Sequence, residues 1–211
     1  MPPVSESLRG REAGHSETPS HAEEARLVQA CRRGDEAAFE RLVELHLDRV
    51  FGLAYRLLQD YGEAEDTAQE VFLNCYRHIG DFRGESRLST WLYRITTNLV
   101  KNRWKRQERR KELKHDSLDA PRSQEDARSL DPPDPAPGPR ERAQGGEITQ
   151  ALNAAISSLA PDYQEVVALR FMENLSYDEI AEALGCSIGT VKSRINRARH
   201  LLRERIGFLL G

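Results

Sequence analysis

Cysteine is scarce in this chain: three in 211 residues, Cys31, Cys75 and Cys186, all far apart. With no C-x-x-C pair and no Cys/His cluster, neither a zinc site nor a disulfide framework is expected. Cys75 and Cys186 fall in apolar-periodic segments and read as core thiols. No apolar run approaches the roughly 20 residues that span a bilayer, and the start carries no hydrophobic signal core. A cytoplasmic protein without membrane insertion is therefore expected. A nucleotide-binding glycine loop is missing and the histidines are scattered, so no catalytic constellation stands out. Neither enzymatic activity nor a cofactor is expected. Strand-period alternation is also lacking, which points to an all-α fold.

The formal net charge is only −3, but the charge is unevenly placed. Eight Lys/Arg stand against two Glu between Lys101 and Lys114, and six against one between Lys192 and Arg205. Two basic stripes on an acidic chain suggest two nucleic-acid surfaces. Either stripe alone could be a solvated helix face.

Composition divides the chain into four segments. Residues 1–22 are Ser, Glu, Pro, Gly and His, a disordered tail by composition. Residues 23–113 read as one helical domain. Its first helix runs from about His21 to Arg33 and is stopped by Gly34, and Asp35 caps a long second helix. A third runs from about Gly62 to Ile79, with Ala64, Ala68, Val71, Phe72, Cys75 and Tyr76 inward. A fourth begins near Ser86, with Leu88, Leu92, Ile95 and Leu99 on one stripe. Its charged continuation to about Lys114 is expected to project or to lie along a partner. Residues 114–146 form an acidic, proline-rich linker with eight Asp/Glu against four Arg from His115 to Glu147. Residues 147–211 form a second helical domain. One helix there spans about Glu147 to Ser158, and another opens at Pro161, a residue suited to a first turn, and ends near Met172. The expected architecture is two small all-α domains on a flexible linker.

The most informative segment is Asn174 to Arg199. Ser176 and Glu179 make an S-x-x-E capping box, Gly185 stops that short helix, and Ser187 can cap the next. On the next helix Ile188, Val191, Ile195, Ala198 and Leu202 form an apolar stripe at 3/4 spacing. Lys192, Asn196, Arg199 and Arg203 lie on another face, with Ser193 and Arg197 beside them. An apolar back and a front of Lys, Ser, Asn and Arg suit a helix-turn-helix reading a major groove. The plainer alternative is a pair of amphipathic helices with a solvated charged face.

Two further patterns stand in the N-terminal half. On the fourth helix Arg94, Asn98, Lys101 and Lys105 share a face, with Trp91 and Asn102 at its edge. Aromatic, amide and cation together suit unpaired or flipped bases. Trp91 could equally complete the core. The third helix opens with Glu63, Glu65, Asp66 and Glu70, which either complement the helix dipole or dock a basic partner.

These motifs, in this order, resemble those of extracytoplasmic-function sigma factors, the minimal two-domain branch of the sigma-70 family. The matching segments are Asp35–Phe39, Ala64–Phe72 and Phe82–Asn102, then Leu159–Pro161, Leu175–Ala181 and Gly189–Arg199. The resemblance spans about residues 23–113 and 147–207. The tail and linker are long for the family, and Lys192 and Asn196 fall at positions that vary within it, so no promoter sequence carries over.

The resemblance implies a subunit that binds core RNA polymerase and directs it to promoters. Glu65, Asp66, Gln69 and Glu70 of region 2 would dock on the largest polymerase subunit. Phe82, Arg83, Trp91, Arg94, Asn98, Lys101, Asn102 and Lys105 would open and read the −10 element, with a base flipped into a pocket of the Phe82–Leu88 loop and Asn98 near it. Thr190, Lys192, Ser193, Arg194, Asn196, Arg197 and Arg199 of region 4 would meet the −35 element, Arg194 and Arg199 mostly on phosphates. The linker would thread the polymerase's RNA-exit path, and a cognate anti-sigma factor would hold the protein inactive. The alternative is a helix-turn-helix regulator that does not act as a sigma subunit. It requires a receiver or sensor domain, and no such pattern appears. An RNA-binding role for the Trp91 face and a helical adaptor are the remaining readings.

Overall fold

The computed structural model describes residues 21–115 and 150–207, and all the regular elements among them are helical. The expected tail, the linker, the helix start at Glu147 and the last four residues lie outside the described residues.

Helix α1 spans His21–Arg32, with Glu23 and Glu24 in its first turn and Arg32 in its last, the arrangement a helix dipole favours. Gly34, at φ 82°, turns the chain. Asp35 caps α2 (Glu36–Leu58) by accepting from the Ala38 N–H at 3.1 Å. Asp60 caps α3 (Tyr61–His78) in the same way, accepting from Glu63 at 2.8 Å. A short 3-10 turn, Ile79–Asp81, leads into the loop before α4 (Leu88–His115). At 28 residues α4 is roughly 42 Å long.

Helices α1 to α4 close around Phe39, Leu42, Leu47, Val50, Val71, Phe72, Leu88 and Leu92, all buried. Each such side chain contributes about 1.5–3 kcal/mol by leaving water. Buried Cys75 belongs to this core, and its thiol is pushed up to about 12, chiefly by burial. Tyr76 departs from the expectation. It is 51% exposed and meets Phe39 edge-on, with ring centroids 5.0 Å apart. It lies only one residue past Cys75 on the helix, at the border where the inward stripe gives way to solvent.

The second unit begins with helix α5 over 150–157. Pro161 opens α6 (Pro161–Val167), which continues as a widened π turn, Ala168–Met172, closed by Glu173 N–H on the Ala168 carbonyl at 3.2 Å. Asn174, at φ 56°, reverses the chain. Helix α7 (Tyr177–Leu184) and helix α8 (Ile188–Ile206) complete the unit.

The two units are packed together. Leu53, Leu57, Tyr93 and Val100 share one core with Val166, Leu169, Leu175 and Ile180, and Trp104 packs against it. Helix α4 makes this possible because it carries a second inward stripe, Tyr93, Thr97, Val100 and Trp104, beside the Leu88/Leu92/Ile95/Leu99 stripe. The charged continuation of α4 therefore lies along the chain's own second domain for at least the turn that carries Lys101 and Trp104.

Candidate nucleic-acid interface

The helix-turn-helix is held by local chemistry. Ser176 Oγ accepts from the Glu179 N–H at 3.2 Å, and Glu179 Oε2 accepts from the Ser176 N–H at 2.8 Å, a complete capping box. Gly185 adopts the left-handed conformation, φ 63°, that ends α7 at little steric cost. Ser187 caps α8 by accepting from Thr190 N–H at 3.1 Å. On α8, Val191, Ile195 and Ala198 are buried, Leu202 is half-buried, and Ile188 at the helix start is 40% exposed.

The opposite face is open. Lys192, Ser193, Asn196, Arg197 and Arg199 are all exposed. Two expected residues sit differently. Thr190 is half-buried and tied to Ser187, so it belongs to the cap. Arg194 is half-buried and donates to Asp162 of α6. That ion pair braces α8 against α6 and occupies the guanidinium expected on a phosphate.

Of the residues expected on the α4 face, Arg94, Asn98, Asn102 and Lys105 are exposed, at 4/4/3 spacing and hence on one strip. Lys101 leaves that strip. It is half-buried, with its Nζ 3.1 Å from Glu165 Oε2 of the second unit. Trp91 is half-buried against the first core, 5.4 Å from the Phe82 ring. Phe82 itself is buried, and Arg32 donates to its carbonyl. Arg83, beside it, is exposed. The loop lines a depression with Val28 and Arg32 of α1, formed by Phe82, Arg83, Gly84 and Ser86. Asn98 is not among the residues lining it.

On α3, Asp66 and Glu70 are exposed, and Glu65 and Gln69 are half-exposed. Leu73 and Tyr76 extend this surface as exposed apolar groups. Glu70 is partly engaged: Arg103 of α4 reaches it at 3.2 Å and Glu63 at 2.8 Å.

Sequence reasoning missed the residues at the seam between the units. Glu173 accepts from Tyr93 Oη at 2.6 Å and from Arg56 Nη1 at 3.0 Å. Burial, reinforced by the Glu173 charge, raises the Tyr93 pKa, so it stays a donor. Glu165 has no solvent exposure, and its carboxyl is pushed up to about 7, chiefly by burial and opposed by Lys101. Neither of its oxygens has an aligned hydrogen-bond donor. At the rim Arg87 stands 3.8 Å from Glu179. The only sequence signal for these contacts is the second stripe on α4.

Residues 42–110 match the model of sigma-70 region 2, and residues 149–202 match that of sigma-70 region 4. The chain is 36% identical to the RNA polymerase sigma-H factor of Pseudomonas aeruginosa, over 89% of this chain and 96% of that protein. It is 34% identical to the ECF RNA polymerase sigma factor SigW of Bacillus subtilis, over 85% of this chain and 94% of that one. In fold it is similar to the sigma factor RpoE of Bartonella quintana, solved in complex with the anti-sigma factor NepR. That likeness has a TM-score of 0.63 at 24% identity, covering 80% of this chain and 96% of the other. With both regions matched in order, and with curated relatives matched over nearly their whole length, the chain belongs to the extracytoplasmic-function sigma factors of the sigma-70 family, the non-enzymatic subunits that direct RNA polymerase to promoters.

Proposed function

We propose that this sigma factor reads the −35 element through the exposed front of α8 and the −10 element through the exposed strip of α4. The single observation that carries this is the division of α8: a buried Val191/Ile195/Ala198 back and an exposed front of Lys192, Ser193, Asn196, Arg197 and Arg199. Amides and cations on that front suit base edges and phosphates in a major groove. Arg94, Asn98, Asn102 and Lys105 offer the same chemistry to unpaired −10 bases. The depression beside Arg83 and Gly84 would take a flipped base, with buried Phe82 and half-buried Trp91 as its support. Binding of unpaired bases offsets an unstacking cost of a few kcal/mol, so melting needs no hydrolysis.

Core polymerase would dock on α3 through Glu65, Asp66, Gln69 and Glu70, where carboxylates suit arginine-rich helices. Work with polymerase places the protein in the cytoplasm. No helix among the described residues is long and apolar enough to cross a membrane. A cognate anti-sigma factor is a further partner, because the Bartonella quintana protein of similar fold was solved with one. The two units would span residues 23–113 and 147–211, a reading supported by the region 2 and region 4 matches that fall within them.

Run-off transcription on a promoter library with purified core polymerase tests this reading. Promoter-dependent transcripts with fixed −35 and −10 preferences are expected. Tight sequence-specific DNA binding by the free chain, with no polymerase-dependent transcript, would favour a plain helix-turn-helix regulator instead.

A further inference from the structure

The loop that carries Arg83 is held from α1. From Arg83 to Ser86 the chain has no regular structure, and Gly84 takes φ 75°. Among the described residues, no backbone–backbone hydrogen bond involves these four. Two anchors stand at the start of the loop. The buried Phe82 ring lies 5.4 Å from the Trp91 ring. Arg32, the last residue of α1, donates from Nε to the Ile79 carbonyl at 3.4 Å and from Nη2 to the Phe82 carbonyl. A basic residue in a helix's last turn ordinarily serves that helix's own carbonyl end. This guanidinium also reaches a segment 47 to 50 residues further on. The arm starts from a fixed base, because Val28, one turn earlier on α1, is buried in the same core as Ile79 and Phe82.

We propose that Arg32 is a positioning residue for −10 recognition. It touches no base itself, and it sets where the loop presents Arg83 and Ser86 to one. The inference rests on the sigma role and on the loop's part in −10 reading argued above. A recognition group works only when held to within about 0.5 Å, and on a loop that precision comes from supporting bonds. A planar guanidinium donating to two carbonyls fixes both the place and the orientation of the segment between them. An ammonium is a point charge without that rigid fork. Helix α1 also lines the depression through Val28 and Gln29, so a shift of the loop against α1 changes the shape offered to a base. Arg32 is exposed, and a plain phosphate contact is the competing account of its charge. The two accounts part at lysine, which keeps the charge and loses the fork.

Holoenzyme reconstituted from the full chain and core polymerase, transcribing a promoter library randomised over both elements, reads the effect. Arg32→Lys and Arg32→Ala are both expected to lower base discrimination at one −10 position by roughly fivefold or more, the size of one lost base reading. Discrimination at −35 and affinity for core polymerase should match the wild type. In the free chain, the NMR resonances of the Phe82 and Trp91 rings should shift in both variants, which reads the clamp without DNA. Wild-type −10 discrimination in Arg32→Lys overturns the proposal, because charge alone then suffices. Ring resonances unchanged in Arg32→Ala overturn it as well, because the loop is then held without the guanidinium. An equal loss at −10 and −35, together with weaker polymerase binding, also overturns it, since that pattern marks a residue needed only for folding. A wild type that gives promoter-dependent transcripts without any −10 preference would overturn the loop's reading role, and one that gives no such transcript would overturn the sigma role. The ring resonances report the clamp independently of both.

Discussion

The ammonium of Lys101 lies 3.1 Å from a carboxylate oxygen of Glu165, a side chain with no exposure to solvent. Asp162 and Arg194 act on the same carboxyl from α6 and α8. The raised value, about 7 against 4.5, has a definite sign. The folded state binds this proton more tightly than the unfolded chain. The stability it contributes is therefore fully present below about 4.5 and is lost as pH rises through about 7. Buried His46 acts oppositely, because burial lowers it to about 4 and its contribution is lost as pH falls. Comparing urea unfolding of the wild type with that of Glu165→Gln cancels the His46 part. The difference between the two should change by about 1–3 kcal/mol over this pH window. A difference that is flat with pH would show that Glu165 titrates normally.

The helix-turn-helix should be sensitive at its caps. Ser176→Ala removes one half of the capping box and should cost about 1 kcal/mol. Gly185→Ala places a Cβ at φ 63°, where nothing crowds it but the backbone is strained, and should cost a similar ~1 kcal/mol. Denaturant midpoints measure both.

Lys192→Ala and Arg197→Ala are expected to weaken initiation at a −35-dependent promoter by about 1–3 kcal/mol each. Both side chains are exposed and off the buried stripe, so circular dichroism and melting should be unchanged. Full transcription from a cognate promoter by both folded variants would remove this face as the reader.

Asn98→Ala should leave polymerase binding intact and impair opening or change −10 preference. An amide offers a base edge both a donor and an acceptor, which a cation does not. Permanganate footprinting of the holoenzyme reads the effect. Normal thymine reactivity with unchanged preference would mark Asn98 as a solvated residue, for which alanine is slightly helix-favouring.

Much of the fold was legible because the signals were local. Asp35, Pro161, Ser176, Gly185 and Ser187 each act within one helical turn, and each stands where its chemistry predicts. The inward stripe of α3 and that of α8 reflect 3.6-residue periodicity. Periodicity could not assign the partner of each face. Lys101 falls between the exposed strip and the Tyr93/Val100/Trp104 stripe, and only the arrival of α6 with Glu165 decides its side. Arg194 reads as a phosphate contact until Asp162, 32 residues earlier, comes to meet it. Glu173 carries no sequence signal at all, because its partners Tyr93 and Arg56 are 80 and 117 residues distant.

The widened turn at Ala168–Met172 has a consequence for insertions and deletions. Each residue added to or taken from a helix rotates the downstream chain by about 100°. The Glu173–Ala168 closure accommodates one residue more than an α turn holds. Deleting a single residue from this turn would let ordinary α pitch resume and would swing Glu173, with α7 and α8 behind it, away from Tyr93 and Arg56. The angular phase of α8 against α4 is thus set by a backbone count of five residues, and a length change there would turn one helix about the other without altering any residue on either.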